Sequence, residues 1–248
     1  MHYSLFFKGG CILKIVDGIS VEEKGKGEVI VFLHGFMSSK ESFYYQTEFL
    51  SKKFKTVALD ITGFGASKKL PYPYCLNDFV RDVKNLITSL GIKKYHLVAH
   101  SFGVRIGIRL ARFDDRVDKF VIIGGAGLKP KRKLSYYLKV YKYKIIKRFL
   151  SKEKRLLYGS PEYKLLRGKM RESFAMIVNE FQDGEISHIK NKTLIIYGEN
   201  DSETPLYMAK KFAKKIKNSL SYTVKDAGHF CFMEKPNEVN FLIKEFLG

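Results

Sequence analysis

The chain has 248 residues, of which 45% are hydrophobic, and 45 basic against 25 acidic residues give a net charge of +20. That length suits one domain, or one core domain carrying a moderate insertion, and the apolar fraction is enough for a packed core. No run reaches the ~18 uninterrupted apolar residues of a membrane-spanning helix. Lys8, Lys14 and Asp17 break up the start, so it lacks a secretory pattern and a cytoplasmic protein is expected.

In chain order, residues 3–16 and 19–23 read as two strands joined at Asp17-Gly18, a hairpin signal. A short buried strand then reads at 29–33, with further strands at 56–59, 95–99, 119–123, 193–197 and 220–224. Helical spacing appears between them. Leu76, Phe79, Val80, Val83, Leu86, Ile87 and Leu90 form one stripe, closed by Gly91. Val104, Ile108 and Ala111 mark a second helix, Met208, Phe212 and Ile216 a third, and Val239, Leu242, Ile243 and Phe246 the last. Alternating strands and helices predict an α/β fold: a hairpin, then a doubly wound, mostly parallel sheet covered on both faces. Residues 128–190 lack a clear strand and read as a helical insertion. The expected organisation is a core of residues 1–127 and 191–248 with a cap of residues 128–190.

The charge is concentrated in that cap. Residues 128–190 hold 17 basic and 6 acidic residues, over half of the whole excess. Within it, residues 129–155 carry twelve basic residues and only Glu153 as an acid. Leu134, Tyr137, Leu138, Tyr141, Ile145 and Phe149 share one helical face, and Tyr136, Val140, Tyr143, Ile146 and Leu150 a second. A cap helix buried on both faces is the favoured expectation. The alternative is a helix that exposes an apolar face flanked by cations, suited to an anionic membrane surface or to drawing in acidic substrates. No nucleic-acid-binding motif accompanies the charge.

The chemistry centres on Ala99-His100-Ser101-Phe102-Gly103, where a buried strand meets a helix. A sharp turn there lifts a serine hydroxyl above the sheet edge, beside helix-start amides that favour an anion. A serine nucleophile needs a base, and the base needs an orienting partner. Asp201, in Gly198-Glu199-Asn200-Asp201, and His229, in Ala227-Gly228-His229, supply both just past C-terminal strand ends. That edge is where open α/β sheets build their sites. Glu199 and Glu203 are local rivals to Asp201. Asp226 reads as a turn residue.

These stretches resemble the α/β-hydrolase superfamily, and in particular its small bacterial esterase-like serine hydrolases. The matching segments are His34-Gly35-Phe36, Asp60-Ile61-Thr62-Gly63-Phe64-Gly65-Ala66-Ser67, the Ser101 turn, Asp201 with Pro205, and Gly228-His229 followed by Glu234-Lys235-Pro236. The resemblance implies catalytic Ser101, Asp201 and His229, and an oxyanion hole from the backbone N–H groups of Phe36 and Phe102. Ala99 and Val104 stand where many members have glycine. Family members that open epoxides carry aspartate at the turn, so Ser101 implies acyl transfer. Those that hydrolyse carbon–carbon bonds carry asparagine before the serine, where this chain has His100.

The expected function is hydrolysis of ester-type substrates (carboxylic ester, thioester or lactone) with an apolar portion, by a monomeric or weakly associating enzyme. Alternatives are a monoacyl-lipid lipase at membrane surfaces and a non-catalytic binding protein of the same fold. An intact triad favours the enzymes and a blocked pocket the binding protein. His34 and His100 are expected to serve as hydrogen-bonding supports, and Asp60 to hold the loop of Gly63 and Gly65. His2, His96 and His188 lack metal-ligand spacing, and no metal or cofactor is needed. Gly124-Gly125-Ala126-Gly127 lacks the spacing of a dinucleotide loop. Cys11, Cys75 and Cys231, with no CxxC pair, read as reduced and mostly buried thiols.

Overall fold

The computed structural model describes residues 5–8, 11–131, 140–143, 145, 146, 148, 150 and 160–248. Its strands are β1 Leu5–Lys8, β2 Cys11–Val16, β3 Ile19–Lys24, β4 Val29–Leu33, β5 Lys55–Leu59, β6 Tyr95–His100, β7 Val117–Ile123, β8 Lys192–Gly198 and β9 Ser219–Val224. They form one nine-stranded sheet in the order β1-β2-β3-β5-β4-β6-β7-β8-β9. The first three strands run antiparallel to their neighbours, and from β5 onward every pairing is parallel.

The central strands read as unbroken apolar runs because both of their faces are covered. Alternate residues serve opposite layers: Val31, Leu33, Leu97 and Ala99 enter one apolar cluster, and Ile30, Phe32 and Val98 the other. Helices α2 (Leu76–Ser89), α3 (Phe102–Phe113) and α6 (Leu206–Lys215) bury their stripes in the first cluster. Helices α1 (Tyr44–Leu50) and α7 (Pro236–Leu247) cover the second. Parallel strands all end at the same edge, which collects the loops after β4, β6, β7 and β8.

At the beginning of the chain one expectation needs correction and one element is additional to the sequence reading. The stretch 3–16 is not one strand: β1 and β2 are separate and pair antiparallel, with Lys8 opposite Cys11. The intervening Gly9-Gly10 is the turn signal that apolar pattern alone passes over. Helix α1 was also unanticipated. It is only seven residues long, too short for a periodic stripe to stand out.

In the middle segment, α4 (Pro161–Leu165), α5 (Gly168–Ile177) and a 3-10 turn at Ile186–His188 bear out the helical reading. Ile186 and Ile189 are buried in the core cluster. Most of residues 132–159 lie outside the described residues, including most of the two apolar faces proposed for the cap. Tyr141, Ile145 and Ile146 are described and are 65%, 50% and 41% exposed. The favoured reading of burial on both faces therefore does not hold at these positions. Among the described residues no helix is long and apolar enough to cross a membrane. Cys11 and Cys231 are buried free thiols, and Cys75 is exposed.

Candidate active site

Ser101 sits between β6 and α3 with φ 49° and ψ −109°, a conformation that costs energy for any residue with a side chain. The surroundings enforce it. The Ser101 amide donates to the Ile123 carbonyl at 3.1 Å, and the Ser101 carbonyl accepts from the amides of Val104 at 3.1 Å and Ala126 at 3.3 Å. Gly103 lets α3 start this close to the sheet, because a Cβ there would lie 2.2 Å from the Leu33 carbonyl oxygen.

His229 and Asp201 come from the turns after β9 and β8. The His229 Nδ1 lies 2.8 Å from Asp201 Oδ2. An ionised carboxylate only accepts, so Nδ1 is the donor, and in the neutral ring Nε2 is then the nitrogen with the lone pair. Asp201 is held from its other sides. Its Oδ1 accepts from the amides of Glu203 at 2.9 Å and Thr204 at 2.8 Å, and its Oδ2 accepts the Thr204 hydroxyl at 2.7 Å. Burial works against its ionisation, but the bonds from His229 and Thr204 outweigh that and keep the carboxyl below its ordinary range. The rivals are placed elsewhere. Glu199 accepts the Asp226 amide at 3.2 Å. Glu203 is exposed and lies 3.4 Å from Nε2, on the far side of the ring from Asp201.

Two supporting histidines behave as expected. His34 Nδ1 donates to the Gly35 carbonyl at 2.7 Å, while its Nε2 accepts the Ile61 amide at 3.0 Å. This fixes the backbone entering Phe36. His100 Nε2 donates to the His229 carbonyl at 3.0 Å, and the two rings pack at a tilt of 49° with centroids 4.7 Å apart. Complete burial, and then the neighbouring His229, push the His100 pKa down to about 3, so its ring is neutral. Asp60 braces the adjoining loop as expected. It accepts the Lys40 amide and ammonium at 2.8 and 2.9 Å and the Ala66 amide at 2.9 Å.

Ser101, His229, Phe36 and Phe102 all line one cavity of about 410 Å³. Phe102 is the first residue of α3, where a helix amide has no carbonyl of its own helix to bond. Apolar walls come from Phe36, Phe102, Phe174, Ile177 and Phe230. Among the described residues no cluster suits a metal ion. The arrangement sets a serine at a helix start and a histidine bonded to a buried carboxylate along one cavity, groups of the kind that acyl transfer uses.

Sequence reasoning passed over several contributors. Thr204 braces Asp201 through a local turn that leaves no periodic signal. Gly124, set aside with its glycine run, has φ +50°, and a Cβ there would lie 3.1 Å from His229 Nδ1 and 3.4 Å from Asp201 Oδ2. Its position at the end of a buried strand was the available clue. Met37, beside the oxyanion candidate Phe36, also has a positive φ of 54° and lines the cavity. Phe174 reaches in from α5 and packs on Phe36 with ring centroids 5.0 Å apart.

A family model described as the alpha/beta hydrolase fold matches residues 28–149 and 148–236. The AB hydrolase superfamily protein YisY of Bacillus subtilis is 28% identical over 251 residues, covering 91% of this chain and 94% of that protein. Among solved structures, a thermophilic esterase from Thermogutta terrifontis superimposes with a TM-score of 0.73 at 20% identity, over all of this chain and 98% of the other. The meta-cleavage product hydrolase CumD of Pseudomonas fluorescens gives 0.72 at 21% identity, over 98% of this chain and 97% of the other. Strand order, the strained serine turn and the family model agree: the chain belongs to the α/β-hydrolase fold family.

Proposed function

We propose that the protein is a serine hydrolase of ester-type substrates, working through an acyl-enzyme. The observation that carries this reading is the 2.8 Å contact from His229 Nδ1 to Asp201, which makes Nε2 the basic nitrogen of the neutral ring in the cavity that also holds the strained Ser101. Ser101 Oγ attacks the substrate carbonyl while His229 Nε2 takes its proton. The Phe36 and Phe102 amides hold the developing oxyanion. His229 then gives its proton to the departing alcohol. A water molecule, activated by the same base, releases the acid and restores Ser101. In this reading residues 1–127 and 191–248 supply the chemistry and residues 128–190 cover the site, with apolar walls that suit an apolar substrate portion. An open cavity at the serine favours this over a binding protein with a blocked pocket.

The test is a panel of activated esters of increasing acyl length, with wild type and Ser101→Ala side by side. Hydrolysis that depends on Ser101 is expected, and equal rates from the two proteins would contradict the assignment. A second reading, a lipase for monoacyl lipids at anionic membranes, draws support from exposed Tyr141, Ile145 and Ile146 alongside exposed Lys142 and Arg148.

A further inference from the structure

Three side chains that carry formal charge at neutral pH line the cavity: Arg105, Glu162 and Glu203. The two glutamates are exposed, so water screens them. Arg105 is only 8% exposed. The deep charge of the cavity is therefore a cation. Arg105 lies on α3 one turn after Ser101 and lines the same cavity.

The partners of the guanidinium are unusual. Its Nη1 donates to the carbonyls of Ile177 at 3.0 Å and Glu180 at 2.7 Å, and its Nη2 reaches the Val178 carbonyl only at 3.4 Å. Among the described residues no carboxylate pairs with it. The Glu180 carboxylate instead engages Arg109. A buried cation is normally paired with an anion, and a guanidinium has five N–H donors in a planar fork that matches a carboxylate. Backbone carbonyls from the end of α5 hold one edge of the fork, and the carboxylate that acts on its charge from nearby, that of Glu180, is itself bonded to Arg109.

We propose that Arg105 recognises a carboxylate on the acyl portion of the substrate, so that preferred substrates are monoesters of short dicarboxylic acids. This rests on the serine-hydrolase reading. Ser101 and Arg105 are about one helical pitch apart, ~5.4 Å along the axis, which places the carboxylate a few bonds from the reacting carbonyl. Arg105 would then be a specificity residue that also ties α5 to α3.

The test compares benzyl hydrogen succinate with its neutral isostere benzyl succinamate. Wild type should show kcat/KM for the acid about tenfold or more above that for the amide, as a charged hydrogen-bonded pair warrants. In Arg105→Met the ratio should fall to about one, and in Arg105→Lys it should lie between. A residue that only ties two helices would lower both rates together and leave the ratio unchanged, which overturns the proposal. So does a wild-type ratio of one or less, whether or not the variants fold. Calorimetry on Ser101→Ala separates the two readings. If it binds the acid more tightly than the amide, and Ser101→Ala/Arg105→Met does not, the carboxylate site stands even if the wild type proves to hydrolyse neither ester. Equal binding of acid and amide rejects the site.

Discussion

Each end of the parallel strands holds a buried histidine near carboxylates, yet the two ends are built differently. At the C-terminal end, His229 meets Asp201 at 2.8 Å, and three further bonds hold that carboxylate. At the N-terminal end, His96 lines a second cavity of about 370 Å³ between Glu28 and Asp118. There the contacts are 3.4 and 3.6 Å, and Glu28 is largely exposed. Burial, the larger effect, lowers the His96 pKa despite both acids. No strained serine or helix start lies among the residues lining that cavity. A histidine beside an acid is thus common chemistry. What distinguishes the C-terminal end is an acid held by its own loop, a histidine ring oriented by that acid, and a serine held in a strained turn by the backbone.

The sharpest way to break this contrast is at the nucleophile. Ser101→Ala should lower esterase kcat/KM by about 10⁴-fold or more while leaving the melting temperature near that of wild type. His229→Ala should be nearly as severe, and Asp201→Asn somewhat milder, because triad members act as a unit and the orienting acid is often the least costly to lose. His96→Ala, measured in parallel, should change kcat/KM less than about twofold, as expected for a residue remote from the chemistry. A large loss there would erase the distinction between the two ends.

A smaller effect concerns the neutral His100. The unfolded chain takes up a proton on this residue near the ordinary value of 6.5, whereas the folded protein resists until about 3. The unfolded state therefore binds more protons across that window, and stability falls as pH drops through it. His34, lowered first of all by its own burial, acts in the same direction. Asp201 has a depressed carboxyl and adds its loss only when pH falls below the ordinary carboxyl value of 3.8. The melting temperature should decline by on the order of 3 °C per pH unit below 6, and His100→Asn should flatten the slope. An unchanged slope in the variant would mean that this ring titrates normally.

The smallest effect is expected from the basic stretch of residues 129–155. Replacing Lys139, Lys142, Lys144 and Lys147 with glutamine should weaken binding to anionic vesicles and slow hydrolysis of vesicle-borne esters at low salt, with little change for a short neutral ester. Surface charge acts over a Debye length of ~8 Å at physiological ionic strength, so the difference should fade in high salt. If neither protein binds vesicles, the charge of residues 129–155 is only a solvated surface.

What the sequence discloses follows from how local each signal is. The strands from Val29 onward and the long amphipathic helices could be read directly, because each carries its pattern within one element. Ser101, Asp201 and His229 could be read because each closes or follows such a strand with a recognisable residue type. Thr204, Gly124 and Arg105 could not. Their meaning depends on what the fold brings against them: Asp201 for Thr204, the His229–Asp201 pair for Gly124, and the end of α5 for Arg105. The β1–β2 division was missed because two adjacent apolar runs look like one strand.

The most direct test of the account is labelling with a fluorophosphonate probe, read by intact mass and by mapping the modified peptide. The expected result is a single adduct on Ser101, formed far more slowly in His229→Ala and absent in Ser101→Ala. An adduct at full stoichiometry in Ser101→Ala, or labelling of wild type at any other residue in place of Ser101, would contradict it.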